Sequence, residues 1–289
     1  MTMRMNEIDF LIIGAAKSAT TWLQYSLQRD PEVYMPDPEL HYFSREFERG
    51  DDWYLSQFSP GPGVRLIGEK SNSYLDMPEA AGRIHAALPD IRLVAQLRNP
   101  IERAYSDYCM LFRRGTVDRN IEQFLSPRKA QGNRFLVGGL YGEQIARFLD
   151  HFPAERLKVV LFEDTLSRPE AMLNEVRGFL GLGPFIAPPL AEKVKDKEAP
   201  VLDPSLRRLL KPFKSAVAPL RGTRLFQTLR GMLARPTRYE PLTPSLRAEL
   251  LDYYADDTAR LGRMIGRDLS NWLHDPAGED DHANRLGAA

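Results

Sequence analysis

The sequence has one cysteine, Cys109, in 289 residues. An intrachain disulfide is therefore excluded, and no Cys/His cluster with zinc-ligand spacing accompanies it. It also lacks net charge. The 39 Lys plus Arg are matched by 39 Asp plus Glu, so no global field draws the chain to nucleic acid or to acidic membranes. No nucleic-acid partner is expected, and any charge argument must be local. Long hydrophobic runs are missing too: Met1 to Asp9 has no apolar core, and Phe10-Leu11-Ile12-Ile13 is far below signal-peptide or membrane-span length. These absences lead to the expectation of a soluble, cytoplasmic protein in a reducing compartment.

The patterning that is present reads as alternating strands and helices. Phe10 to Ile13 is a continuous apolar run rich in β-branched residues and stopped by Gly14, the form of a buried parallel strand. A helix is predicted from Thr20 to Gln28, with Trp22, Leu23 and Leu27 at helical spacing and Asp30-Pro31 closing it. Further strands are predicted at 65–68, 91–97 and 157–162, and helices at 78–88, 100–113, 140–152 and 169–180. The alternation implies an α/β fold of three layers, a central parallel sheet flanked by helices. A last helix, 244–265, follows Thr243 in a capping position and carries Leu246, Leu250, Tyr253 and Leu261.

Residues 1–274 read as a single domain with a basic, mainly helical insertion at about 200–240, and 275–289 as a disordered tail. Between Pro204 and Tyr239 there is no acidic residue, while Arg207, Arg208, Lys211, Lys214, Arg221, Arg224, Arg230, Arg235 and Arg238 are interleaved with Leu and Phe. A solvated helical face, capture of an anionic substrate and peripheral membrane contact through 204–239 are the readings open to it.

The chemistry concentrates after the first strand. Written against G-x-x-x-x-G-K-[ST], the segment Gly14 to Thr21 reads G-x-x-x-x-A-T-T. Its backbone N–H groups and the helix N-terminus behind them suit a phosphate, and Ser18, Thr20 and Thr21 add hydroxyls. Thr20 stands where a nucleotide-hydrolysing loop has its lysine, and Lys17 lies inside the loop instead. There an ammonium can offset charge on a leaving oxygen without a metal ion. The run Lys17-Ser18-Ala19-Thr20-Thr21-Trp22-Leu23 resembles the 5′-phosphosulfate-binding loop of sulfotransferases that use 3′-phosphoadenosine 5′-phosphosulfate (PAPS), usually K-x-G-T-T. Ala19 replaces the usual glycine, and a positive φ at that position would strain it.

A second segment, Arg98-Asn99-Pro100 leading into a helix with Ser106, joins an arginine at the end of a buried strand to a serine on the next helix. A guanidinium fork and a hydroxyl together suit a phosphate monoester. The pair is similar to the family's 3′-phosphate-binding segment, position for position. The resemblance further implies a P-loop-like fold, PAPS as co-substrate with PAP as product and no metal, and donor contacts from Lys17, Ser18, Ala19, Thr20, Thr21, Trp22, Arg98 and Ser106. Tyr141, in Gly139-Leu140-Tyr141-Gly142, also looks family-like and could close the donor site. The family's basic K-G-R loop is lacking, and Arg238 is its nearest substitute.

On the acceptor side, Pro38-Glu39-Leu40-His41-Tyr42-Phe43 is similar to the K-E-x-H-[FY]-F segment of glycan sulfotransferases of the heparan sulfate type. The resemblance makes Glu39 the catalytic base and His41 its assistant, with His41 as base the next choice. Their i, i+2 spacing in an extended segment would put both side chains on one face. Gly68-Glu69-Lys70-Ser71-Asn72-Ser73-Tyr74 strengthens the match, with Lys70 and Tyr74 expected to border the acceptor cleft. The function so implied is sulfuryl transfer to a hydroxyl of a carbohydrate or glycolipid. A small natural-product acceptor, a P-loop kinase or NTPase, and a non-catalytic nucleotide- or glycan-binding protein are the alternatives.

Overall fold

The computed structural model describes residues 3–184, 201–202, 234–235 and 238–274. The first strand, β1 (Phe10–Gly14), is buried along its whole length, as a run without polar positions must be. It leads through a tight loop into α1 (Thr20–Leu27), after which β2 (Val33–Tyr34), α2 (Gly50–Leu55), β3 (Leu66–Lys70), α3 (Ala80–Ala87) and β4 (Arg92–Leu97) follow. Then come α4 (Pro100–Arg113), α5 (Ile121–Leu125), α6 (Arg134–Val137), α7 (Tyr141–Leu149), β5 (Leu157–Leu161), α8 (Phe162–Ser167) and α9 (Pro169–Phe179). A two-residue antiparallel pairing joins β6 (Val201–Leu202) to β7 (Ala234–Arg235), and α10 (Pro244–Ile265) is the last helix.

The five long-range strands form one parallel sheet in the order β2-β3-β1-β4-β5. Side chains on successive strand residues point to opposite faces, and the two faces carry separate cores. Leu11, Ile13, Leu93, Ala95 and Leu97 pack with Ala80, Ile84, Ile145 and Phe148 of α3 and α7. Phe10, Ile12 and Val94 pack with Trp22, Leu23, Met172 and Val176 of α1 and α9. Two helical layers therefore sandwich the sheet, which is the three-layer P-loop-like α/β fold.

The described residues form two compact units. One holds 3–103, 140–184 and 255–272; the other holds 104–139, 238–254 and 273–274 with the short pairing of β6 and β7. The sheet and both cores belong to the first. In the second, Asp107, 1% exposed, takes a forked pair of bonds from Arg134 at 3.1–3.2 Å. Thr243 caps α10 by accepting the Leu246 N–H at 3.2 Å. Tyr254, not Tyr253, is the buried tyrosine of that helix: it continues the i, i+4 row of Leu246 and Leu250, and its hydroxyl donates to the Leu136 carbonyl at 2.9 Å. The expected tail lies outside the described residues, as does the basic segment except for Ala234–Arg235 and residues 238–239. Arg238 is exposed. Among the described residues, no helix is long and apolar enough to cross a membrane.

Candidate functional site

The parallel register sets Ile12 of β1 beside Lys70 of β3, so the loops that leave these strands emerge at the same sheet edge, where open α/β sheets bind ligands. Gly14 ends β1 in a spot without room for a side chain: a Cβ there would lie 2.7 Å from Leu75 Cβ. In the loop that follows, Lys17 has φ 72° and Ala19 has φ 64°. The strain foreseen for an alanine in the glycine position is therefore present, of order 1–2 kcal/mol. In exchange the chain turns directly into α1, whose first N–H groups have no carbonyl of their own helix to bond. Ser18 is fully buried beside the Tyr141 hydroxyl. A buried hydroxyl inside a loop of this shape fits a phosphate or sulfate oxygen.

Thr20 and Thr21 are tied to the next loop. The Thr20 hydroxyl donates to Asn72 Oδ1 at 2.7 Å, and Thr21 Oγ1 accepts from Lys70 Nζ at 3.3 Å. Lys70 is 3% exposed and donates also to Glu39 Oε1 at 2.9 Å. Asn72 holds the same carboxylate twice, by its side-chain amide on Oε1 at 3.1 Å and by its backbone N–H on Oε2 at 3.0 Å. Burial alone would raise the pKa of Glu39. The Lys70 ammonium and the Asn72 and Lys70 hydrogen bonds more than offset it, with a smaller contribution from His41, and hold the carboxyl below its ordinary range. Glu39 is ionised at neutral pH.

His41 Nε2 lies 3.8 Å from Glu39 Oε2, so the two groups meet, but not by strand geometry. His41 has φ 55°, and a left-handed turn brings its ring alongside the carboxylate in place of the extended i, i+2 arrangement. Its backbone N–H is held by Ser71 Oγ at 2.7 Å, and its Nδ1 lies 2.7 Å from Ser73 Oγ. Burial lowers the imidazole pKa; Glu39 opposes this, Arg45 and Lys70 add to it, and Glu46 opposes it.

Ser71, which holds the His41 N–H, also donates to Glu69, which is 1% exposed. It accepts hydrogen bonds from Tyr74 at 2.9 and 3.1 Å, from Tyr54 at 3.2 Å and from Ser71. No cation pairs with it among these contacts, and burial pushes its pKa up to about 7 against the pull of the hydroxyl donors. Tyr74 is thus a buried partner of Glu69, packed edge-on to Phe43 at 5.6 Å. It does not border a cleft: its hydroxyl bonds anchor it in the core. Lys70 is likewise an interior residue, joined to the Glu39 carboxylate rather than facing a sugar from the rim. Trp22 is 8% exposed and belongs to the core between sheet and α1, against which Ala19 of the loop also packs.

Arg98 leaves the end of β4, is half-buried, and stacks on Phe162 with Cζ 4.6 Å from the ring centre. One guanidinium nitrogen reaches the Lys17 carbonyl at 3.4 Å, so Arg98 abuts the anion loop. Burial lowers its pKa, and Glu102 and Glu163 counter this. Asn99 caps α4 by accepting the Ile101 and Glu102 N–H groups at 3.0 and 3.3 Å. That cap and Pro100 at the first helical position give the Arg-Asn-Pro sequence its local reason. Ser106 is buried on the second turn of α4, in the second unit. Tyr141, at the start of α7, is 1% exposed. Burial raises its pKa to about 12, while Arg103, Ser18 and the Arg98 backbone act in the opposite sense. Its neighbours are thus the anion loop and Arg98. The start of α7 is capped by Asp257 of α10, which accepts the N–H groups of Gly142 at 2.8 Å and Glu143 at 2.9 Å.

Asn72, Ser44, Ser71, Ser73, Glu69 and Asp257 were not singled out from sequence as site residues. The polar run Ser71-Asn72-Ser73 directly after a strand was the available signal for three of them. Among the described residues, no cluster of three or more His, Cys, Asp or Glu is placed to hold a metal ion.

A parallel α/β sheet with an anion loop after its central strand, and a carboxylate–imidazole pair at the same edge, defines the class: a P-loop-like group-transfer fold. Residues 51–185 match the model of the sulfotransferase family. Human heparan sulfate glucosamine 3-O-sulfotransferase 6 is 33% identical over 177 residues, which cover 60% of this chain and 52% of that protein. Human bifunctional heparan sulfate N-deacetylase/N-sulfotransferase 2 is 31% identical over 198 residues, covering 61% of this chain and 22% of that protein. The chain thus spans about half of the first relative and a smaller share of the second. The crystal structure of a sulfotransferase from Alicyclobacillus acidocaldarius superposes with a TM-score of 0.69 at 28% identity, over 92% of this chain and 99% of that one. Over these spans the chain is similar to sulfotransferases, those of the heparan sulfate branch among them.

Proposed function

We propose that this protein transfers the sulfuryl group of PAPS to a hydroxyl of a carbohydrate or glycolipid acceptor. The observation that carries the reading is the double tie between the anion loop and the carboxylate: Thr20 to Asn72 to Glu39, and Thr21 to Lys70 to Glu39. A donor group seated in the loop and an acceptor hydroxyl beside Glu39 would be neighbours, as in-line displacement requires.

PAPS supplies the activated sulfur and a phosphate leaving group. The loop N–H groups, the Ser18 hydroxyl and Lys17 would bind its 5′ end, with Lys17 stabilising the negative charge that develops on the departing phosphate. Arg98 is the side chain for the 3′-phosphate, and Ser106 keeps the role the sequence motif implies for it. Glu39 and His41 take the hydroxyl proton, and Lys70 keeps the Glu39 carboxylate charged and aimed. The 3-O- and N-sulfotransferase names of the relatives support a carbohydrate acceptor.

The test is transfer of label from radiolabelled PAPS to desulfated heparan-type oligosaccharides, with small phenols and other small alcohols in parallel, in the presence and absence of EDTA. Labelled oligosaccharide that is insensitive to chelator is expected. Label on small alcohols alone would replace the acceptor, and labelling that requires ATP in place of PAPS would overturn the reading. Lys17→Ala should reduce transfer about 10²-fold or more, the scale of removing one transition-state donor.

A further inference from the structure

Asn72 joins two parts of the site through one amide. Its Nδ2 lies 3.1 Å from Glu39 Oε1, and its Oδ1 lies 2.7 Å from the Thr20 hydroxyl. An ionised carboxylate accepts and has no hydrogen to give, so Nδ2 is the end that faces Glu39 and Oδ1 is left facing Thr20. Oδ1 carries no hydrogen either, so the single hydrogen of the Thr20 hydroxyl lies on that contact. Thr20 is 2% exposed, which shields the bond from bulk water. Thr21 differs. It receives its contact from the Lys70 ammonium at 3.3 Å, and that contact makes no use of the Thr21 hydrogen. The two threonines of the anion loop are therefore not equivalent: Thr20 can give its hydrogen to a phosphate oxygen only by withdrawing it from Asn72.

We infer that Asn72 is a positioning residue that holds the Glu39 carboxylate and the Thr20 hydroxyl with one amide, so that aiming the base deprives the anion loop of a hydrogen-bond donor. This deepens the proposed sulfotransfer and rests on it. A donor phosphate seated in the loop either goes without the Thr20 hydrogen or breaks the bond from Thr20 to Asn72 to obtain it. In both cases it is held less tightly than the loop alone would hold it. Truncating the Asn72 side chain releases that hydrogen and removes the amide from Glu39, while the backbone N–H of residue 72 on Oε2 at 3.0 Å and the Lys70 pair at 2.9 Å stay in place. The charged and titratable groups that act on Glu39 are Lys70 and His41, with Glu69 as the neighbouring acid.

PAP titrated into the full chain by calorimetry is the probe. Asn72→Ala should bind PAP about threefold to tenfold more tightly than the parent, the scale of one hydrogen bond. Single-turnover transfer from PAPS to the oligosaccharide should meanwhile slow about tenfold, because the base is less well aimed. A residue that merely supports the fold would weaken both when truncated. The tightening should vanish when Asn72→Ala is made in a Thr20→Val background, where there is no hydrogen to release. PAP affinity in Asn72→Ala equal to or weaker than the parent's, or a tightening that persists without the Thr20 hydroxyl, would overturn the inference. Asn72→Ser is too short to span both partners and should behave as Asn72→Ala, which guards against a folding defect in one variant. Should PAP fail to bind at all, the sulfotransfer reading falls, and carbon-13 NMR of the Glu39 carboxyl, assigned with Glu39→Gln, still decides the hold on the base. The carboxyl pKa should rise when the Asn72 amide is removed, and an unmoved pKa would refute it.

Discussion

Glu69→Gln tests whether the acid under the site is buried as the structure has it. Glu69 is held by three hydroxyl donors, and its pKa rises from 4.5 to about 7 through burial. A carboxyl that binds its proton more tightly in the folded state contributes its full stability while protonated, below about 4.5, and loses it as pH rises through about 7. At 1.36 kcal/mol per pKa unit, that step is worth about 3 kcal/mol. Glutamine does not titrate, so the variant escapes the loss. It presents an amide N–H₂ where hydroxyls have been donating, at a cost of about 1 kcal/mol. The variant should therefore be slightly less stable than the parent at pH 5 and about 2 kcal/mol more stable at pH 8. At roughly 2–4 °C per kcal/mol for a domain of this size, the gain at pH 8 is about 4–8 °C in Tm, readable by calorimetry at the two pH values. A difference between variant and parent that does not change with pH would refute a buried, titrating Glu69.

Three further outcomes follow from the same contacts. Ala19→Gly relieves a left-handed alanine at φ 64° and should stabilise the protein by up to about 1 kcal/mol in urea unfolding, the strain being partly offset by glycine's greater freedom when unfolded; a loss of stability would mean the methyl is packed to advantage. Lys70→Met removes the ammonium 2.9 Å from Glu39: it should cost about 2–3 kcal/mol at pH 7 and reduce transfer about 10²-fold. Because Glu39 titrates below its ordinary value, that stability cost should be full above the ordinary carboxylate range and fade as acid protonates Glu39, and a cost that stays the same down to the acid limit of folding would contradict the pairing. Gly142→Ala forces a Cβ to 2.6 Å from the Asp257 carbonyl and should destabilise by about 1–3 kcal/mol with weaker PAPS binding measured by calorimetry, since α7 starts with Tyr141; unchanged stability would show that α10 yields.

The strand run Phe10 to Ile13, the helix starting at Pro100 and the cap at Thr243 were legible because each is a local device: periodicity, a fixed φ, or a side chain bonding its own turn. Elements that depend on distant neighbours were not legible. The edge strand Val33–Tyr34 is two residues long and exists only because Leu66–Ile67 pairs with it. The short helix at Phe162–Ser167 opens directly on the end of a strand and was absorbed into that strand's apolar run. Tyr253 and Tyr254 are adjacent, and only the row of buried residues in the folded helix decides between them.

Within the site, the residues with chemistry in a contiguous motif, Lys17 to Thr21 and Glu39 with His41, could be named from spacing. What could not be read was which residues complete them. Lys70 lies 31 positions from Glu39 and Asn72 lies 33, and they meet it only because parallel pairing of β1 with β3 sets Lys70 beside Ile12. A lysine and a tyrosine four positions apart after a strand look alike as polar rim residues, yet the fold uses both inside, one as a counter-charge and the other as a hydroxyl donor to a second acid. The discriminating property is burial. An ammonium that is 3% exposed must have an anion beside it, and Glu39 is that anion. The lysine expected to meet the acceptor sugar is therefore the group that keeps the carboxylate ionised.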